Sequence, residues 1–214
     1  MKYDIENLFE EYSIRKNNAK LLIDEVKHII YHSLDKENIK IHHVFDRIKG
    51  FDSFLAKIRR KELSDPFNQV HDLIGFRIIC LFLEDLDIIG YLLMKEFDVF
   101  DIEDNIFEKS PEIFGYMDSQ YKARLRNVGH NFDTINNYPF EIQIRTISQD
   151  AWASISHHLF YKKDIFLPAS LQRDFHALSG LFYIADTHFG LLREEQFKYF
   201  IEELKKSDEA NKYQ

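Results

Sequence analysis

The stretch from Leu73 to Leu83 constrains the fold more than any other part of the chain. Within it, Ile74-Gly-Phe-Arg-Ile-Ile-Cys-Leu-Phe-Leu83 is almost wholly apolar and β-prone. Such a run reads as a central strand buried on both faces. A strand of that kind belongs in a covered sheet, and the neighbouring segments supply helical patterns. Glu84 to Phe97 puts Leu86, Ile89, Leu93 and Phe97 on one helical face. Upstream, roughly Asp4 to Leu34 repeats apolar residues at helical spacing (Leu8, Tyr12, Leu21, Leu22, Val26, Ile29, Ile30), with Asn17-Asn18 able to divide it into two helices. Phe51 to Glu62 turns Phe54, Leu55 and Ile58 inward and Lys57, Arg59, Arg60 and Lys61 outward, before Asp65-Pro66 breaks the chain.

Further strands are predicted at Val99 to Ile102, Tyr121 to Val128 and Pro139 to Arg145. Turns are marked by Gly115, Gly129 and Asn136-Asn137, and helices at Ser148 to Lys162 and Ser170 to about Lys206 close the chain. This order predicts an α/β fold, a mixed β-sheet flanked by helices. We read one domain: a helical N-terminal segment of about residues 1–40, a core of about 45–165 and a C-terminal helix of about 170–206.

Composition removes several classes. With 45% hydrophobic and 30% charged residues over 214 positions, the chain is neither disordered nor of low complexity. Its single cysteine excludes an internal disulfide framework and a Cys-rich zinc site, as suits a reducing cytosol. None of the ten histidines falls into a three-ligand zinc spacing. The charged start is unlike a signal peptide and no apolar run approaches a membrane span, so a cytoplasmic location is expected. A net charge of −8 argues against a general nucleic-acid coat protein but leaves room for a local basic groove.

Four segments carry chemistry. Arg47-Ile48-Lys49, with Ser53 and Lys57 following, sets three cations within about ten residues. They can converge on a polyphosphate, or form a solvated basic face. His71-Asp72-Leu73-Ile74-Gly75-Phe76-Arg77 puts a carboxylate at the mouth of the buried strand and a guanidinium within it. An arginine in so apolar a run needs an anion, either a substrate phosphate or a structural carboxylate. Phe114-Gly115-Tyr116-Met117-Asp118-Ser119-Gln120-Tyr121 is a glycine turn leading into a strand. There Tyr116 can stack on a base or simply pack. In Phe140-Glu141-Ile142-Gln143-Ile144-Arg145-Thr146, strand alternation puts Glu141, Gln143 and Arg145 on one face and Ile142 and Ile144 in the core. Asp72 and Glu141, each at a strand end, can hold one Mg²⁺ between them.

Together, R-I-K with Ser and Lys downstream, D-x-x-G-x-R, F-G-Y-M and E-I-Q-I-R-T resemble the RelA/SpoT alarmone synthetase family in order and spacing. The helix Ala151-Trp152-Ala153 to His157-His158 and Tyr161-Lys162 is similar to that family's W-A-x-x-x-H-x-x-x-Y-K element. Leu171-Gln172-Arg173 through Ile184-Ala185-Asp186 and Phe189 is similar to its closing helix. The likeness spans about Phe45 to Glu195 and suggests a small, stand-alone synthetase.

The resemblance implies a nucleotidyltransferase-like synthetase fold and transfer of the β,γ-pyrophosphate of ATP to a nucleotide 3′-hydroxyl. Carried over, Arg47, Lys49, Lys57 and Arg77 match ATP-phosphate contacts, with Ser53 beside them. Asp72 matches the Mg²⁺ ligand, and Glu141 the residue that binds metal and activates the hydroxyl. Tyr116 matches the aromatic stacked on the acceptor base, with Gln120 and Gln143 at the acceptor site.

Many guanosine-specific members have P-K-x-N before G-Y and a histidine after it. Here the chain reads Lys109-Ser110-Pro111-Glu112-Ile113-Phe114, then Asp118 and Gln120. Three readings follow: a synthetase acting on GDP or GTP, or on an adenosine counterpart; a toxin that modifies the 3′ end of tRNA and needs an antitoxin protein; and an inactive nucleotide-binding module. A homo-oligomer is compatible with each.

Overall fold

The computed structural model describes residues 4–104, 119–126, 135–160 and 168–211. Helix α1 (Ile5–Lys36) is followed by strand β1 (Ile41–Ile48), helix α2 (Phe51–Lys61), a short helix α3 (Pro66–Gln69) and a 3₁₀ turn (His71–Leu73). Then come β2 (Ile74–Cys80), α4 (Glu84–Glu96), β3 (Phe97–Asp104), β4 (Ser119–Leu125), β5 (Phe140–Thr146), α5 (Ile147–Phe160) and α6 (Ala169–Asn211). The strands form one five-stranded sheet in the order β1-β2-β5-β4-β3. Only the central β2–β5 pair is parallel; the others are antiparallel, so the sheet is mixed as predicted.

The apolar run becomes the second strand of this sheet, with every residue from Ile74 to Cys80 buried except Arg77. Burial on both faces removes the alternation a half-exposed strand shows. On one face α1 and α4 close the main core, where Leu22, Val26 and Ile30 meet Ile78, Ile142, Ile144 and Ile89. Between the N-terminal half of α1 and α2 lies a smaller cluster of Tyr12, Phe54, Ile58, Phe67 and Leu73. The opposite face is partly covered by α5, which packs on β5 and β2 and is backed by α6. Trp152 stacks on Phe175 at 5.1 Å, and Thr146 Oγ1 donates to the buried Asp186 at 2.6 Å, fastening α6 to the β5–α5 junction.

Two boundaries differ from the sequence reading, which left open whether the first helix is one or two. The first helix is continuous through Asn17-Asn18, and Asn18 donates its amide to the Tyr138 hydroxyl at 3.2 Å instead of breaking the turn. Strand β1 was not anticipated. It is an edge strand in which Val44 alone is fully buried, so Ile41-His-His-Val-Phe-Asp-Arg-Ile lacks a strand's apolar signature. Phe97, expected to end α4, opens β3 and points into the core. The turn at Asn136-Asn137 is present; Gly115 and Gly129 lie outside the described residues.

Candidate active site

Strand alternation and register build the site. Reading across the sheet on the face away from α1 and α4, one row is Arg47, Gly75, Glu141, Lys122 and Asp101. The next is Phe45, Arg77, Gln143, Gln120 and Glu103. A face that should be apolar if it were only packing is instead lined with ionisable and amide groups. The Arg47 side chain crosses β2 over Gly75, where an added Cβ would lie 3.4 Å from its Nε, within ordinary contact distance.

Asp72 reaches this face from the 3₁₀ turn just before β2. Both of its carboxylate oxygens are engaged: Oδ2 by Lys49 Nζ at 2.9 Å and Oδ1 by Lys57 Nζ at 2.7 Å. Lys49 is positioned by its backbone, whose N–H donates to Leu73 O at 2.8 Å while its carbonyl accepts from the Tyr12 hydroxyl at 3.0 Å. Lys57 comes from α2, with Ser53 exposed one turn earlier on the same face. Burial works to raise the Asp72 pKa, yet the two lysine hydrogen bonds prevail and hold it below the usual carboxylate value. Glu141 moves the other way. Burial, and then the neighbouring Asp72 charge, raise it, against a hydrogen bond from Gln143 and the charges of Lys57 and Arg47.

Beyond Glu141 the arginines share acceptors. Arg77 donates to Asp150 Oδ1 at 2.9 Å and to Gln143 Oε1 at 3.3 Å. Arg145 donates to the same two oxygens, at 3.3 and 3.0 Å. Arg145 is deeply buried, and desolvation together with the Arg77 and Arg47 charges pushes its pKa down to about 9. Arg77 thus finds the structural carboxylate that its apolar setting called for. Among the described residues, five cations (Arg47, Lys49, Lys57, Arg77, Arg145) share this half of the face with three carboxylates (Asp72, Glu141, Asp150), an excess of positive charge. On the β3 side Lys122 is paired with both Asp101 and Glu103, and Arg124 lies over the Phe100 ring.

Of the residues singled out from sequence, Arg47, Lys49, Lys57, Asp72, Arg77, Glu141 and Gln143 lie together. Gln120 follows as the cross-strand neighbour of Gln143. Tyr116 lies outside the described residues. Arg145 and Asp150 were not assigned to the site. Arg145 had a signal, since it continues the Glu-x-Gln-x-Arg alternation; Asp150 had none, because only the docking of α5 brings it to the sheet.

Among the described residues, no three or more His, Cys, Asp or Glu side chains gather in a way that could hold a metal. The pair Asp72 and Glu141 nonetheless fits Mg²⁺, which is commonly held by one or two carboxylates with substrate phosphates completing its shell. The mutual repulsion of the two carboxylates, which adds to burial in raising the Glu141 pKa, is what a cation between them relieves.

Residues 46–165 match the model of the region found in RelA / SpoT proteins. The chain is 32% identical over 159 residues to the GTP pyrophosphokinase YjbM of Bacillus subtilis, covering 69% of this chain and 71% of that one. The crystal structure of small alarmone synthetase 1 from Bacillus subtilis superposes with a TM-score of 0.73 at 25% identity, covering 88% of this chain and 99% of the other. The same synthetase bound to its product pppGpp superposes at 0.70 with 26% identity, covering 88% and 97%. With a family model spanning more than half of its length and the family's fold around a cationic, carboxylate-bearing sheet face, the chain belongs to the RelA/SpoT family.

Proposed function

We propose that the chain is an ATP-dependent pyrophosphokinase that transfers the β,γ-pyrophosphate of ATP to the 3′-hydroxyl of GDP or GTP, making (p)ppGpp-type alarmones. The observation that carries this reading is the excess of cations around Asp72 and Glu141 on one sheet face. Phosphoryl transfer asks little covalent chemistry of a protein and much positioning and charge neutralisation. Lys49, Lys57, Arg47 and Arg77 supply the cations for the ATP phosphates, and in taking them the two lysines release Asp72.

Glu141 is the base. Its carboxylate lies on the cationic sheet face, in the row that runs from Arg47 through Gly75, where it can take the hydroxyl proton of an acceptor. As the acceptor O3′–Pβ bond forms and the bond from Pβ to the bridging α–β oxygen breaks, the hydroxyl proton passes to Glu141 and AMP leaves. Mg²⁺, held by Asp72 and Glu141, would neutralise charge on the transferring phosphoryl oxygens. Tyr116 and Gln120 belong to the acceptor side in this reading, and pppGpp as the product of the solved synthetase supports a guanosine acceptor.

A second acceptor has one observation in its favour. Lys122, the cross-strand neighbour of Glu141 on β4, is already committed to Asp101 and Glu103 and so does not stand ready for a 5′ polyphosphate. The 3′ end of a tRNA carries no such group, and a toxin acting there would require an antitoxin partner. Incubation with ATP labelled in its γ-phosphate and, separately, GDP, GTP, ATP or deacylated tRNA decides between them. Label in a guanosine nucleotide supports the alarmone synthetase, label in tRNA alone replaces it, and no transfer at all leaves a nucleotide-binding module.

A further inference from the structure

Four side chains from three elements close a ring beside Glu141. Asp150 Oδ1 accepts from Arg77 and Arg145, and Gln143 Oε1 accepts from the same two guanidinium groups. The amide nitrogen of Gln143 then donates to Glu141 Oε1 at 3.0 Å. Donor chemistry fixes the amide orientation: guanidinium groups only donate and a carboxylate only accepts, so the oxygen must face the arginines and the nitrogen Glu141.

The side chain of Arg145 is only 8% exposed, and while Asp150 accepts from it, desolvation and the charges of Arg77 and Arg47 act against it. Packing alone would be better served by an apolar side chain there. What Arg145 does provide is a second donor to Gln143, so that the amide is held whether or not Arg77 is drawn towards a ligand.

Resting on the pyrophosphokinase reading above, we propose that Gln143 is a positioning residue for Glu141, locked by Arg77 and Arg145, which Asp150 holds together. It keeps one carboxylate oxygen hydrogen-bonded and so fixes the direction in which Glu141 presents the rest of the carboxylate.

Turnover, the KM for each nucleotide and the affinity for a non-hydrolysable ATP analogue are measured for the wild type, Gln143→Met, Arg145→Lys and the double variant. Gln143→Met should lower kcat about 10–100-fold while analogue affinity and acceptor KM stay within about threefold. Arg145→Lys keeps the charge but loses the fork, so it should lower kcat in the same way. The double variant should lose little more than Gln143→Met alone, because both substitutions act through one bond. Unchanged kcat with a raised acceptor KM in Gln143→Met would make Gln143 an acceptor contact and overturn the proposal; additive losses would overturn it as well. Should Gln143→Met not fold, Arg145→Lys carries the kinetic test.

If the wild type transfers nothing, the pyrophosphokinase reading fails, yet the ring still answers to NMR of the Gln143 side-chain amide. Slow exchange that quickens in Arg145→Lys and Asp150→Asn supports the lock. A freely exchanging amide, indifferent to both, sinks it.

Discussion

In the ligand-free protein Asp72 is a structural residue, and Asp72→Asn should reveal this before any activity is measured. The carboxylate takes an ammonium on each oxygen, at 2.7 and 2.9 Å, and the three side chains are only 12–20% exposed. An asparagine keeps one acceptor but turns its NH₂ towards the other lysine, donor against donor, and removes the charge that held two cations together. Breaking a buried pair costs about 3–5 kcal/mol. The lysine stems can swing partly into water, so the low end, about 3 kcal/mol, is expected. For a chain of this length that corresponds to a Tm lower by about 6–12 °C.

Urea unfolding at pH 7, without nucleotide, measures the loss. The Asp72 pKa lies below its ordinary 3.8 in the folded state, so its stabilisation is present above that value and is lost as pH falls through the folded pKa. The gap between wild type and variant should therefore close in acid. A loss below about 1 kcal/mol at pH 7, the size of an exposed ion pair, would refute the reasoning.

Other substitutions test other parts. Glu141→Gln should reduce pyrophosphate transfer about a hundredfold or more while ATP-analogue binding by calorimetry is retained; near-normal turnover would remove Glu141 as the base. Gly90→Ala would normally favour a helix, but the added Cβ would lie 2.2 Å from the Tyr121 hydroxyl in the core. Overpacking of about 1–3 kcal/mol should outweigh the propensity gain and lower the Tm in thermal melts, so a rise would contradict the packing. Cys80 is buried, with its thiol pushed up to about 12, first by desolvation and then by the Asp85 charge. It should resist a thiol reagent at pH 8 until urea unfolds the chain; immediate labelling of the native protein would disprove its burial.

Much of this was legible in the sequence, for reasons that particular residues make plain. An apolar run with one arginine could only be a buried strand whose charge needed a partner. The period-two pattern of Phe140 to Thr146 placed Glu141, Gln143 and Arg145 on one face without any knowledge of neighbours. Helix α2 announced itself by its inward Phe54 and Ile58. These are local properties of the covalent chain, governed by backbone geometry and by the cost of burying charge.

Strand β1 was invisible, because an edge strand with one buried side chain takes its conformation from the partner it pairs with. The identity of the Arg77 partner was equally hidden: Asp150 lies seventy-three positions away on a helix whose docking is settled by Trp152, Phe175 and the Thr146–Asp186 bond. The sequence by itself singled out residue types suited to phosphate and proton chemistry and, along β5, the face that Glu141, Gln143 and Arg145 share. Only the tertiary structure decided which charge meets which, that Lys49 and Lys57 both hold Asp72 and that Gln143 joins two arginines to Glu141. Cross-strand register and helix docking are long-range outcomes of packing, and no local spacing encodes them.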